Sequence, residues 1–332
     1  MGPRLSAVLP VYDEAQTLDP LLARLLPVLT LASDGAFEVI FVDDGSTDGS
    51  AERLDALAAR DARVKVIHFS RNFGHQAALQ AGLEQAGGAA VVLMDADLQD
   101  GPEVIGAFVA KWEEGYEVVY AVRRKRKEGF LKRAAYALFY RTLHSVAQID
   151  LPLDAGDFCL LDRRVVDALV ALPEHHRFLR GLRSWVGFRQ IGIECERDAR
   201  FAGSSKYNLR RLVRLALSGY VGFSAMPLRL AALLGLATAA GGFLVAAWVV
   251  ATKLLDVPSP RGWASLLACV MVVGGVQLVT LGVVGEYLSR VYDEVRRRPL
   301  YVVRSRVGFG YSAANSEAAA EPPASPVTVL RR

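Results

Sequence analysis

Cysteine is scarce in this sequence: three occur in 332 residues, and Cys159, Cys195 and Cys269 share no metal-ligand spacing. Neither a disulfide framework nor a thiolate metal site is expected, in keeping with a reducing compartment. Excess charge is lacking too. A net charge of +4 with 22% charged residues excludes a disordered polyelectrolyte and a strongly basic nucleic-acid binder. No G-x-G-x-x-G follows the first apolar run and no G-x-x-x-x-G-K-[ST] occurs anywhere, so NAD-type binding and P-loop hydrolysis lose their main support. There is no internal repeat. The apolar stretch Leu5–Val11 is too short for a signal peptide and runs straight into Asp13 and Glu14, so none is expected.

Apolar sequence, by contrast, is plentiful and concentrated. The mean hydropathy of +0.24 has its source in 230–252 and 262–285, runs of 23 and 24 residues without Asp, Glu, Lys or Arg. At about 1.5 Å per helical residue each run spans a hydrocarbon core of roughly 30 Å, and two transmembrane helices are expected. The linker from Lys253 to Arg261, with Pro258 and Pro260, permits only a tight hairpin. Arg210, Arg211, Arg214 and Arg229 precede the pair and Arg290, Arg296, Arg297 and Arg298 follow it. Positive-inside asymmetry puts both termini in the cytoplasm.

The first 120 residues alternate short runs rich in Val, Ile, Leu and Phe with amphipathic stretches. Leu5–Tyr12, Phe37–Val42, Val64–Phe69 and Ala90–Met94 read as buried strands; Leu18–Leu31, Ser50–Arg60 and Gln76–Gln85 read as helices. Such alternation predicts an α/β fold with a mostly parallel sheet covered on both faces. Ligands of open α/β sheets lie outside the carboxyl ends of the strands. Polar clusters fall at those ends: Asp13–Glu14, Asp43–Asp44, Ser70–His75 and Asp95–Asp97.

Asp95 and Asp97, an i, i+2 pair just past a strand and followed by Gln99, offer hard oxygen ligands. Mg²⁺ or Mn²⁺ takes one or two carboxylates and completes its shell with substrate phosphates and water. The run Asp43–Gly49 has a passing likeness to a calcium loop, with Asp44, Ser46, Asp48 and Gly49 at positions one, three, five and six. Its twelfth position is Asp55 rather than Glu, and a strand precedes it, so an EF-hand is excluded. A strand-end acid bonding a nucleobase, or Ser46 or Asp48 capping the next helix, remain as its uses. From Arg123 to about residue 149, and again over Tyr207–Pro227, basic residues interleave with aromatic and aliphatic ones, as in helices lying in a membrane interface. The cluster Arg123–Lys127 suits a lid over phosphates, a leaflet-binding patch or a solvated loop. His75 lies within a polar strand-end cluster with its role open.

Taken in order, Val8–Glu14, Val42–Ser50, Arg71–Gln76 and Asp95–Gln99 resemble the signature of family 2 inverting glycosyltransferases with the GT-A fold. Asp154–Phe158, Arg180-Gly181 with Trp185–Phe188, and Arg200 with Ser204–Tyr207 are similar to the polyprenyl-phosphate branch. That branch holds dolichol-phosphate mannose synthases and bacterial undecaprenyl-phosphate (bactoprenol) transferases. The likeness runs over about 5–305, and Gly285–Tyr287 with Arg298-Pro299 after the hairpin fits the bacterial members.

The resemblance implies a division into a GT-A domain (1–205), an interfacial region (206–229), two transmembrane helices within 230–285, a cytoplasmic basic juxtamembrane segment (286–307) and a disordered tail (308–332). It implies that Pro10, Tyr12 and Glu14 border the nucleotide and that Asp44 with Asp43 reads the base. Asp95 and Asp97 would hold the ribose and the metal–diphosphate, with Gln99 as a further metal ligand. Asp157 matches the catalytic base, and Arg123, Arg133, Arg200, Ser205 and Lys206 match positions that gather phosphates. Ser204 departs from the Glu that many relatives carry there. The implied reaction transfers a hexose from a nucleotide-sugar, UDP-glucose first, to polyprenyl phosphate at the bilayer surface. Relatives suggest self-association, and a flippase partner belongs to the scaffold alternative. A processive polysaccharide synthase of the same fold would need a channel and usually Q-x-x-R-W; Arg183-Ser184-Trp185 lacks it. A scaffold that kept the fold without catalysis is opposed by intact Asp95, Asp97 and Asp157.

Overall fold

The computed structural model describes residues 2–123, 155–175, 177–195, 226–255 and 262–309. Its first half alternates β1 (Leu5–Val11), α1 (Leu18–Ala32), β2 (Phe37–Asp43), α2 (Ser50–Arg60), β3 (Val64–Phe69), α3 (His75–Gln85) and β4 (Ala90–Leu93). There follow a 3-10 turn (Pro102–Val104), α4 (Ile105–Glu113), β5 (Val118–Arg123), β6 (Ala155–Asp162), α5 (Arg163–Ala171), α6 (Leu179–Trp185) and β7 (Gln190–Cys195). Two long helices, α7 (Met226–Leu254) and α8 (Trp263–Arg296), lead to β8 (Val303–Val307).

The eight strands form one sheet in the order β7-β5-β6-β4-β1-β2-β3-β8. The central block β3-β2-β1-β4 is parallel, and β6 and β8 join it antiparallel on either side. The mostly parallel, doubly covered sheet expected of a GT-A domain is therefore present. Side chains alternate between two cores. Leu5, Leu9, Val39 and Phe41 pack with α1, α2 and α4, while Val8, Ile40 and Val42 pack with α3, α5 and α6. Because both faces are covered, the strands read as continuous apolar runs rather than as alternation. Each fully buried Leu or Phe, such as Leu5, Leu9, Leu25 and Phe41, contributes about 1.5–3 kcal/mol.

α7 and α8 each carry a stretch long and apolar enough to cross a membrane, Leu228–Trp248 and Cys269–Arg296. Leu233, Phe243, Trp248, Met271 and Leu281 are exposed, the reverse of a soluble core helix. Both helices overrun the apolar runs read from sequence, since a helix continues through Arg229 at one end and Glu286 and Arg290 at the other. After α8 the chain returns to the sheet. β8 pairs with β3, Tyr301 stacks on Phe69 with ring centroids 4.8 Å apart, and the Tyr301 hydroxyl donates to Glu84. The segment 286–307 thus ends as a strand of the main sheet. Most of the expected interfacial stretches (124–149 and 206–225) and the tail from residue 310 lie outside the described residues.

Helix α3 lies close on β1: a Cβ added at Gly82 would sit 2.1 Å from Val8 Cγ1. Gly82→Ala is expected to destabilise the protein by about 1–3 kcal/mol through overpacking, with partial recovery when Val8→Ala is added. Thermal unfolding of both variants checks this; a Gly82→Ala protein as stable as the parent contradicts the tight packing.

Candidate active site

The carboxyl ends of β1, β2, β3 and β4 share one rim, and β6, running antiparallel to β4, brings its amino end to the same place. The ladder pairs Leu93 with Cys159; extended two residues, that register sets Asp95 opposite Asp157. Sequence distance hides this, since the two aspartates are separated by the whole of α4 and β5.

At the β1–β2 part of the rim two loops lock together. Asp13 adopts a left-handed conformation (φ 55°), which Asp tolerates better than most residues. Its backbone N–H donates to Ser46 Oγ (3.0 Å), and its Oδ1 accepts the Thr47 N–H (2.8 Å). The Glu14 N–H donates to Ser50 Oγ, and Asp48 accepts from the Ala15 and Ser50 N–H groups. Asp48 thus ties the start of α2 to the other loop rather than only capping a helix. Pro10 is buried in β1 opposite Val42, Tyr12 projects from the strand end with 46% exposure, and Glu14 is half-buried.

Asp43 and Asp44, read from sequence as facing the base, are both buried and grip backbone amides. Asp43 Oδ1 accepts the Ser46 N–H (2.9 Å), while Oδ2 lies 2.8 Å from His68 Nδ1. Burial raises the Asp43 carboxyl, but bonds from His68 and Ser46 outweigh it and hold the group below the usual range. Asp44 accepts the Phe73 N–H (2.6 Å) and the Gly74 N–H (2.9 Å), stapling the 71–75 loop beside β2. Burial dominates there and pushes Asp44 up. Gly45 (φ 73°) makes that closeness achievable, because a Cβ would fall 2.6 Å from the Arg71 carbonyl carbon. A carboxylate has about four acceptor positions, so these bonds shape the rim without exhausting Asp44.

The centre of the rim is crowded with acids. Asp97 Oδ1 accepts the Gln99 N–H (3.1 Å), and Gln99 is buried. Between them Leu98 is left-handed (φ 59°), a conformation rare enough for a bulky residue to mark a constrained site. Burial raises the Asp95 carboxyl, and the charges of Asp157, Asp97 and Asp100 raise it further against the opposing effect of His75. Among the described residues no three His, Cys, Asp or Glu side chains form a ready-made metal cage. Acids whose repulsion is only partly neutralised fit a divalent ion that takes one or two carboxylates and finds its other ligands on substrate.

Asp157, given the catalytic-base role by sequence, is engaged. It accepts Nε (2.6 Å) and Nη2 (2.7 Å) of Arg180 from α6. His75, first residue of α3, sets Nε2 3.6 Å from Asp95 and 3.7 Å from Asp157. Burial raises the Asp157 carboxyl, yet bonds from Arg180 and His75 overcome that and hold it far below the usual carboxylate range. The paired bonds from Arg180 thus favour the ionised form of Asp157. His75, lowered by burial, is raised overall by the two acids. In the sequence Arg180 stands in a motif that gives it no role, and the role of His75 is open. Only the pairing of β6 with β4 and the docking of α6 reveal what they meet. Arg123 ends β5, while Arg133, Arg200, Ser205 and Lys206 lie outside the described residues.

Removing one partner of a partly buried ion pair strands the other. Arg180→Met is expected to cost about 1–3 kcal/mol at pH 7, less than for a fully buried pair because both groups keep some solvent contact. Asp157 is depressed in the folded state, so the pair stabilises above the unfolded carboxylate range, near pH 4. That stability is lost as pH falls through the folded value. The acid side of the stability–pH curve should flatten in Arg180→Met, as read by denaturant unfolding; an unchanged curve counts against the pair.

Residues 6–170 match the model for glycosyl transferase family 2. An uncharacterized glycosyltransferase, YkcC, of Bacillus subtilis (strain 168) is 46% identical over 92% of this chain and 94% of its own length. An SfII prophage-derived bactoprenol glucosyl transferase of Shigella flexneri is 38% identical over 91% of this chain and 97% of its own. Likeness to solved structures is looser. Glucosyl-3-phosphoglycerate synthase from Mycobacterium tuberculosis, in complex with UDP, gives a TM-score of 0.45 at 19% identity over 65% of this chain and 77% of that one. With relatives aligned along nearly its whole length, and with strand-end acids gathered on one rim, this chain belongs to glycosyl transferase family 2.

Proposed function

We propose that this protein transfers glucose from UDP-glucose to a polyprenyl phosphate of the undecaprenyl class at the cytoplasmic face of a membrane, with inversion at the anomeric carbon. The observation that carries the reading is the convergence of Asp95, His75, Asp157 and Arg180 on one rim of a chain with an apolar helix pair. The glucose and the prenyl phosphate come from relatives named bactoprenol glucosyl transferase. Topology supports the membrane arrangement. Strands before and after the helix pair belong to one sheet, so α7 and α8 must return the chain to the side it left. The arginines flanking the hairpin favour the cytoplasm as that side.

In this reading the nucleotide lies along Pro10, Tyr12 and Glu14 and over the loop that Asp43 and Asp44 shape. Asp95 and Asp97, with Gln99, would hold Mg²⁺ or Mn²⁺, which supplies positive charge against the departing diphosphate. A phosphate oxygen of the acceptor attacks the anomeric carbon, the bond to the diphosphate oxygen breaks, and UDP leaves. A phosphate monoester has a second pKa of about 6, so the attacking oxygen needs little deprotonation. Ionised Asp157 suits that chemistry: it holds the Arg180 guanidinium at the rim, where an anionic acceptor is drawn in and oriented. Arg123, Arg133, Arg200, Ser205 and Lys206 would gather the remaining phosphate charge.

Purified protein in lipid nanodiscs with undecaprenyl phosphate and labelled UDP-glucose, UDP-N-acetylglucosamine or GDP-mannose should yield labelled lipid from UDP-glucose, and only with a divalent cation. Asp97→Asn should slow transfer roughly 100-fold or more. Transfer from none of the donors would refute the reading. Asp157→Asn should lower kcat across pH 5–9 while leaving the acid limb of the rate profile in place, because the carboxylate is already ionised throughout. Disappearance of that limb in the variant would make Asp157 the base after all.

A further inference from the structure

His68 has no part in the chemistry above, yet it is one of the most enclosed ionisable groups in the catalytic domain. It sits next to last on β3, with its side chain 1% exposed. Both ring nitrogens face acids: Nδ1 lies 2.8 Å from Asp43 Oδ2 and Nε2 lies 3.0 Å from Asp55 Oδ1. A neutral imidazole has one N–H and can donate to only one of them; the imidazolium donates to both. Asp43 is the β2 residue paired with His68 in the ladder, and its other oxygen holds the Ser46 N–H. Ser46 Oγ in turn accepts from the backbone of Asp13, the left-handed residue beside Tyr12. An unbroken run of hydrogen bonds therefore leads from Asp55, half exposed on α2, through His68, Asp43 and Ser46 to the loop at the end of β1.

We propose that His68, doubly protonated between Asp55 and Asp43, is a positioning residue that holds the 43–48 loop in the shape that receives the donor nucleotide, and that Asp55 keeps it charged. The proposal rests on the donor-site reading above and adds to it a pH-sensitive support outside the reacting centre. The charged groups facing His68 are Asp43 from β2 and Asp55 from α2. On its other side β8 sets Ser305 opposite it, with Arg304 and Arg306 exposed. Burial lowers the His68 imidazole, but bonds and charges from the two acids more than offset this and raise it above the ordinary value. The sign follows from that direction. The loop is held while pH stays below the raised value, and nucleotide affinity falls as pH rises through it.

The test is calorimetric titration of the full-length protein in nanodiscs with UDP and Mg²⁺ from pH 6 to 9. Asp55→Asn leaves Asp43 and the loop intact but withdraws one of the two carboxylates. The alkaline fall in UDP affinity is then expected to move to lower pH by about one unit, with affinity at pH 6 unchanged. His68→Gln, which cannot carry charge, should bind roughly tenfold more weakly at pH 6 and lose the fall altogether. Comparing variants cancels the titration of UDP itself. An alkaline limb in Asp55→Asn that coincides with the parent's, or a variant that loses only thermal stability, overturns this proposal alone. Failure of the parent to bind UDP at any pH overturns the donor-site reading and this proposal with it.

Discussion

Arg180 grips Asp157 through two parallel N–H bonds, and the acid-rich rim is arranged around that pair. Asp95 and Asp157 approach from antiparallel strands, with Asp97 and Asp100 adding to the negative charge on Asp95. Like charges so close would drive one another toward protonation unless cations stood among them. Arg180 supplies one, and the His75 imidazole, whose proton affinity the two acids raise, lies nearly equidistant from Asp95 and Asp157. The result is uneven: Asp157 stays firmly ionised while Asp95 is pushed upward. An acid site held in this imbalance is suited to receive further positive charge on the Asp95 side, and anionic substrate on the Arg180 side.

The same pair explains why the elements around it are rigidly placed. α6 must dock so that Arg180 reaches β6, and it does so partly through Gln76 of α3, whose Oε1 accepts the Leu179 N–H. The neighbour of Gln76 is His75. One helix–helix contact thus links the elements that carry Arg180 and His75. The apolar hairpin is coupled to the same body: Glu294 of α8 accepts the His175 N–H at 2.7 Å, and β8 extends the sheet beyond β3. Along the chain, the helix pair is therefore flanked on both sides by strands of a single sheet.

Much of this was legible in the chain. Strands β1 to β4 and helices α1 to α3 follow from runs such as Leu5–Val11 and Phe37–Asp43, because burial on both faces leaves a run of Val, Ile, Leu and Phe as its trace. The later strands were not legible. Val118–Arg123 and Gln190–Cys195 mix polar residues into short apolar runs and lie outside the regular strand–helix alternation of the first half, so pattern alone does not mark them. Val303–Val307 alternates Val with Arg and Ser as an edge strand facing solvent does, and it is short and follows a long apolar helix. His68 was invisible for a different reason: a single histidine within an apolar strand carries no local sign of two acids brought to it by β2 and α2.

What the sequence alone determined is the local and one-dimensional part: the period of the strands, the charge-free length of two helices, and the acids at strand ends that name the family. Those depend on each residue's own chemistry and its near neighbours. The tertiary structure decided which of those acids are free to act. It ties Asp43 and Asp44 to loop amides and sets Asp157 against Arg180. Proton affinity belongs to an environment rather than to a residue type, and that environment is assembled from strands and helices far apart in the chain.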